Sequence, residues 1–134
     1  METETYPAPK RSAMVWVGWV LSVLPCLLLL MSAFTKIARA EVAVQGFADQ
    51  GWPEGVLVPL GITELVSTVL YLIPQTAVLG AILLTGYMGG AIATHVRLAE
   101  PIYVQTLIGV VIWLGLFLRE SRLRKLLPWR NQVS

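Results

Sequence analysis

Apolar residues run through this chain in four long stretches, each broken by a short polar or helix-breaking cluster. A helix needs roughly 20 apolar residues to cross the hydrocarbon core of a bilayer. Residues 14–34 carry no charge, and residues 56–73 carry only Glu64. Residues 76–94 are again uncharged, and residues 102–118 form the last run. The pattern predicts four transmembrane helices, the second and fourth being the shortest. Pro74-Gln75 leaves room only for a tight turn between the second and the third. Pro25 is expected to bend the first, because proline removes a backbone hydrogen bond.

The connections carry a second pattern. Ile37, Ala40, Val44 and Phe47 recur at helical spacing, while Arg39, Glu41 and Asp49 fall elsewhere. That spacing predicts a short amphipathic helix lying at the membrane interface. Gly51-Trp52-Pro53 ends it. Trp52 suits an interfacial anchor, and Pro53 suits the first turn of the next helix. Trp16, Trp19, Tyr103, Trp113 and Trp129 are further belt or packing aromatics. Residues 119–130 are basic and amphipathic. They are expected to continue the fourth helix along the membrane surface as a topological determinant, within reach of anionic head groups.

Composition agrees with this reading. Of 134 residues, 56% are hydrophobic and 13% charged, against about 25% charged in soluble domains. The net charge of +2 and the lack of a basic stripe argue against nucleic acid. The lone Cys26 excludes an internal disulfide, a CxxC pair and a Cys-rich metal site. It is read as a packing residue and not a nucleophile.

Charge placement orients the spans. Lys10, Arg11, Arg119, Arg122, Arg124, Lys125 and Arg130 lie on one side, and Lys36, Arg39 and Arg97 on the other. Both termini are therefore expected in the cytoplasm, with residues 36–55 and 95–101 facing outward. Ala38-Arg39-Ala40 mimics a signal-peptide cleavage site. The apolar run before it exceeds the roughly 7–15 residues of a signal sequence, so it is read as an uncleaved span. The expected product is an all-α integral membrane four-helix bundle, N-in and C-in, with a short interfacial helix in the first outer loop. Residues 1–12 form a cytoplasmic tail, 13–130 one domain and 131–134 a C-terminal tail. Its expected location is the bacterial inner membrane.

Glu64 is the most informative residue. It sits roughly 13 Å from the outer end of its helix at 1.5 Å per residue. An ionised carboxylate facing lipid there is costly. It should face the bundle interior, pair with a cation, or keep its proton. Ser67, Thr68 and Tyr71 extend it into a polar stripe, which either lines a cavity or locks the bundle by hydrogen bonding. Tyr87, Ala91 and His95 share a face of the third helix, with His95 at the outer mouth. His95 is either a proton-exchanging group near Glu64 or an interfacial histidine. Arg97 either neutralises an anion or is a solvated loop residue. On the first helix Ser22, Cys26, Leu29, Ala33 and Lys36 share a face, so Lys36 either caps a cavity shared with Glu64 and His95 or snorkels to the interface. Gly86 and Gly90 form a GxxxG, read with Gly89 and Gly80 as helix-packing positions. One histidine with at most one nearby acid is a poor metal site.

Three segments also carry a resemblance. They are Gly61-Ile62-Thr63-Glu64-Leu65, residues 70–81 (LYLIPQTAVLGA) and residues 84–97 (LTGYMGGAIATHVR). With Phe34-Thr35-Lys36-Ile37 and Leu118-Arg119, the chain resembles the DoxX-like family of small four-helix membrane proteins. The resemblance maps the family's recurring polar positions onto Lys36, Glu64, His95 and Arg97, and its glycines onto Gly61, Gly80, Gly86, Gly89 and Gly90. Relatives are linked to thiosulfate:quinone oxidoreductase subunits, to oxidative-stress complexes and, more distantly, to membrane chaperones or cargo receptors. The bundle is also similar to the vitamin K epoxide reductase architecture, but the cysteine pairs of that chemistry are missing.

Three functions compete. In the first, Glu64, His95, Lys36, Arg97, Tyr71, Tyr87 and Thr68 frame an outer cavity that binds a lipid, a quinone or a partner membrane segment, in an accessory or chaperone-type role. In the second, the chain is the quinone-reactive subunit of an oxidoreductase complex, with Glu64 and His95 moving protons. It carries no haem or Fe–S ligation pattern, so electrons would come from a partner. In the third, it is a structural subunit of a larger assembly. No complete catalytic constellation is visible, and quinone is the one cofactor candidate. Membrane lipids, a partner complex and self-association are the expected contacts. No repeat or pair of interrupted helices suggests a transporter.

Overall fold

The computed structural model describes residues 12–129. Those residues form α1 (Ala13–Ile37), α2 (Glu41–Asp49), α3 (Leu57–Leu72), α4 (Ala77–Arg97), α5 (Tyr103–Arg119) and α6 (Ser121–Leu126). Single 3-10 turns at Glu54–Val56 and Pro74–Thr76 lead into α3 and α4. The expected terminal tails, apart from Ser12, and the flanking charges Lys10, Arg11 and Arg130 lie outside the described residues. With their leading turns, α1, α3 and α4 are long and apolar enough to cross a membrane, and α5 is a shorter apolar helix of 17 residues.

Local chemistry sets the boundaries. The Ser12 hydroxyl accepts a hydrogen bond from Val15 N at 3.4 Å and caps α1, supplying a partner for one of its orphan amides. α1 then continues through Pro25 as one helix. Ile73 precedes Pro74 and is extended, with ψ of 120°, as steric conflict with the proline ring requires. Thr76 Oγ1 donates to the Leu70 carbonyl at 2.8 Å and closes that turn. Three connections reverse through left-handed residues: Arg39 (φ 52°), Gly51 (φ 77°) and Ala99 (φ 56°). Only Gly51 is the residue type this conformation favours.

The four long helices form a ring. α1 packs on α3 and α5, and α4 packs on the same two, while neither diagonal pair approaches closely. The interior holds small and polar residues, Ser22, Cys26, Ala33, Glu64, Ser67, Thr68, Ala77 and Ala81, beside the larger Leu57, Tyr71, Leu84, Ile112 and Leu116. Leu27, Met31, Phe34, Ile82 and Val110 face outward. Such an apolar exterior is unsuited to water. It suits lipid, where close approach of small residues drives helix association.

Between α1 and α3, α2 packs against both. Ile37, Ala40, Val44 and Phe47 are half-buried, while Arg39, Glu41 and Asp49 are exposed. The amphipathic face is thus turned toward the bundle.

At the opposite end the expected continuous helix through Arg119 is corrected. Glu120 is extended (φ −115°, ψ 104°) and separates α5 from α6. Its carboxylate accepts from Arg122 N at 3.1 Å, and Leu123 turns into the core. Arg124 Nη1 donates to the carbonyls of Phe117 (3.0 Å) and Leu118 (2.7 Å). A side chain folding back onto orphan carbonyls satisfies the end of α5, which a continuing helix would have no need of.

Candidate functional site

The last turn of α1 carries Lys36, with Ser32 one turn earlier on the same face. Gly61 brings α3 against that turn. A Cβ there would lie 2.8 Å from Lys36 Cβ and 3.1 Å from the Ala33 carbonyl oxygen. Only a residue without a side chain lets the two backbones come so close. One turn further along α3, Glu64 is thereby carried to Lys36.

Glu64 is 1% exposed, and its carboxylate is held by side chains of the two neighbouring helices α1 and α4. Its Oε2 accepts from Lys36 Nζ at 2.9 Å, from Tyr87 Oη at 3.1 Å and from Ser32 Oγ at 3.3 Å. Lys36 also donates to Ser32 Oγ. An ion pair with extra hydrogen bonds meets the condition under which buried charges are tolerated.

The cluster forms part of the wall of a cavity of about 1220 Å³. Sites for drug-sized ligands are typically about 300–1,000 Å³, mostly apolar, with a few placed polar groups. This one is larger and has the same character. Leu28, Leu29, Leu60, Leu83, Met88 and Ile108 supply apolar wall, and Phe47 of α2 and Trp52 lie toward the Lys36 end. All four long helices and α2 contribute.

A family model for the DoxX-like family matches residues 20–118. The chain belongs to the DoxX-like family. The matched stretch runs from α1 to the last turn of α5 and includes every residue of the Glu64 cluster. Its apolar helices make this DoxX-like protein a multi-pass membrane protein. No curated protein and no solved structure matches it.

Of the expected binding residues, Lys36, Glu64, Tyr87, His95 and Arg97 line the cavity of the DoxX-like protein, and Thr68 and Tyr71 do not. Thr68 is buried and donates to its own helix, at the Glu64 carbonyl, 2.7 Å away. Ser67 does the same to Thr63 at 2.6 Å. Hydroxyls on helices often satisfy themselves this way, which removes them from ligand chemistry. Tyr71 lies two turns below Glu64 and belongs to the other end of the bundle.

His95 is not coupled to Glu64 by a hydrogen bond. Its Nδ1 lies 2.6 Å from Glu100 Oε2, a partner delivered by the reversal at Ala99. Arg97 donates to the Gln50 carbonyl and lies over the Trp52 ring, 5.9 Å from its centroid. It thus clasps the end of α2 to the end of α4.

The glycine expectations divide. A Cβ on Gly80 would fall 2.2 Å from Tyr71 N and 2.5 Å from Tyr71 Cα, so α3 and α4 cross there with backbones touching. For Gly86, Gly89 and Gly90 the packing expectation is corrected: nothing lies within 4 Å of a Cβ built on any of them. Gly86 and Gly90 line the cavity instead. Small side chains in a membrane helix leave room, and here that room belongs to the cavity.

Three features escaped the sequence reading. Ser32 sits at i−4 from Lys36, a signal that was present in the spacing. Gln105 lines the cavity, and its Oε1 is buried without a hydrogen-bond partner. At the far end, Arg119 has a packing role that its place among the flanking charges does not announce. It donates to the Tyr71 carbonyl at 2.7 Å and lies over the rings of Trp19 and Tyr71, 4.2 and 4.7 Å from their centroids. The Tyr71 hydroxyl donates to the Ile112 carbonyl at 2.6 Å and lies 2.9 Å from Ser22 Oγ. Gly18 and Gly115 let α1 and α5 meet beside it.

Proposed function

We propose that this DoxX-like protein binds a lipid or quinone-type amphiphile within the bundle, with the polar end of the ligand at Glu64 and its apolar part along the walls. The observation that carries this reading is the large apolar cavity converging on one buried, hydrogen-bonded ion pair. A merely structural bundle would gain more from filling that volume, since interiors are otherwise close-packed. The role is that of an accessory or chaperone-type subunit holding its ligand for a partner membrane protein. The excess of Lys and Arg at the Arg119 end orients that end to the cytoplasm, and the cavity then opens outward.

Native mass spectrometry of the full chain, extracted in a mild detergent, tests the reading. The expected result is a retained amphiphile that Gly90→Leu displaces. Gly90 lines the cavity and nothing lies within 4 Å of a Cβ there, so the leucine side chain starts from the cavity wall without a backbone clash. Identical adducts on both proteins, or none on either after supplying total membrane lipid extract, would refute it.

A further inference from the structure

The two oxygens of Glu64 have different surroundings. Oε2 accepts all three hydrogen bonds that reach the carboxylate, from Ser32, Lys36 and Tyr87. Oε1 accepts none among the described residues. It sits on a side chain that is 2% exposed, on a residue that lines the cavity. A carboxylate oxygen without a donor is costly, and buried polar atoms usually have a partner. Gln105, from the opposing helix α5, adds a second acceptor. Its Oε1 is buried without a hydrogen-bond partner, on a residue that lines the same cavity. Both unmet atoms are acceptors, so the group that completes this site is a hydrogen-bond donor.

Charge narrows the class further. The positive charge of Lys36 is already matched by Glu64 at 2.9 Å. An anionic head placed there would face the carboxylate without a spare cation. A cationic head would crowd Lys36. Arg97 also lines the cavity, but it is exposed and committed to Gln50 and Trp52 at the mouth. A head that only accepts, such as a quinone carbonyl or an ether, leaves Oε1 unmet.

We infer that the cavity selects an uncharged amphiphile ending in a hydroxyl, which donates to Glu64 Oε1 while its apolar body fills the space beside Gly86 and Gly90. This rests on the proposed ligand-binding role and specifies its substrate class. The same chemistry is offered by a diacylglycerol or by the reduced form of a quinone.

The test compares matched probes on the full-length protein in detergent. One set is dioleoylglycerol, its methyl ether and dioleoylphosphatidic acid. The other is decylhydroquinone and its oxidised quinone. At least one hydroxyl form should bind about ten-fold more tightly than its acceptor-only counterpart, the gain expected from one hydrogen bond to a charged acceptor. Phosphatidic acid should bind more weakly than dioleoylglycerol. The set showing the preference identifies the source. In Glu64→Gln the preference should shrink. The comparison on the unaltered protein stands even if that variant fails to fold. Equal binding within both sets, or tighter binding of phosphatidic acid, overturns the inference. If Gly90→Leu still abolishes binding of every probe, the cavity reading survives and only the head-group assignment falls. If Gly90→Leu changes nothing, both fall.

Discussion

Lys36 and Glu64, 28 positions apart, meet at 2.9 Å in the interior of the bundle, with side chains 13% and 2% exposed. The pair ties α1 to α3, and Tyr87 brings α4 to the same carboxylate oxygen. Lys36→Met strands a buried carboxylate and should lower stability by about 3 kcal/mol. The double substitution Lys36→Met/Glu64→Gln removes the stranded charge and should recover part of that loss. Thermal melting of the three proteins in one detergent checks the ordering. A single variant no less stable than the double would sink the idea.

Gly80→Ala and Gly86→Ala make an informative pair. At Gly80 the new methyl group would meet the Tyr71 backbone at 2.2 Å, so α3 and α4 must part, at a cost of about 1–3 kcal/mol or more. At Gly86 it meets nothing within 4 Å, and the better helix former should leave stability unchanged or raise it by up to about 1 kcal/mol. Comparable losses at both sites would contradict the geometry.

Ala99 holds a left-handed conformation (φ 56°). There Glu100 N donates to the His95 carbonyl at 2.9 Å and closes α4. A non-glycine residue in this region costs about 1–2 kcal/mol. Ala99→Gly should therefore stabilise the protein, by about 0.5–1 kcal/mol once the freer unfolded chain is counted. A lowered melting temperature would argue against the assigned backbone.

Arg119→Lys keeps the charge but loses the planar group that lies over Trp19 and Tyr71. The expected loss is about 1–2 kcal/mol. Arg122→Lys, at an exposed position in α6, should be neutral. Equal effects would mean that Arg119 serves only as a charge.

The four helices were legible because a bilayer imposes a length and a composition that hydropathy alone reports. The ends moved by a few residues, where loops close through Arg39 and Ala99 and not through glycine. Lys36 and Glu64 were legible as a burdened acid and a cation on a buried face. Tyr71 was not separable from Glu64 in sequence. A helix repeats its face every seven residues, but those residues are about 10 Å apart along the axis. Here that distance is the difference between a cavity wall and the opposite end. The Gly86 and Gly90 stripe was misread for a related reason. Small residues signal the absence of bulk, and pattern alone does not say whether a helix or open volume takes the space. The partner of His95 depended on a reversal at Ala99, which no local preference announces.

The cluster of Arg119, Tyr71, Ser22 and Ile112 has a consequence for traffic. Leu29 and Met88 line the cavity and belong to the same packed core as Cys26, Tyr71 and Ile112, which do not line it. The packed core thus stands between the cavity and the Arg119 end. A ligand bound beside Glu64, as proposed, would therefore come and go without passing the Arg119 end.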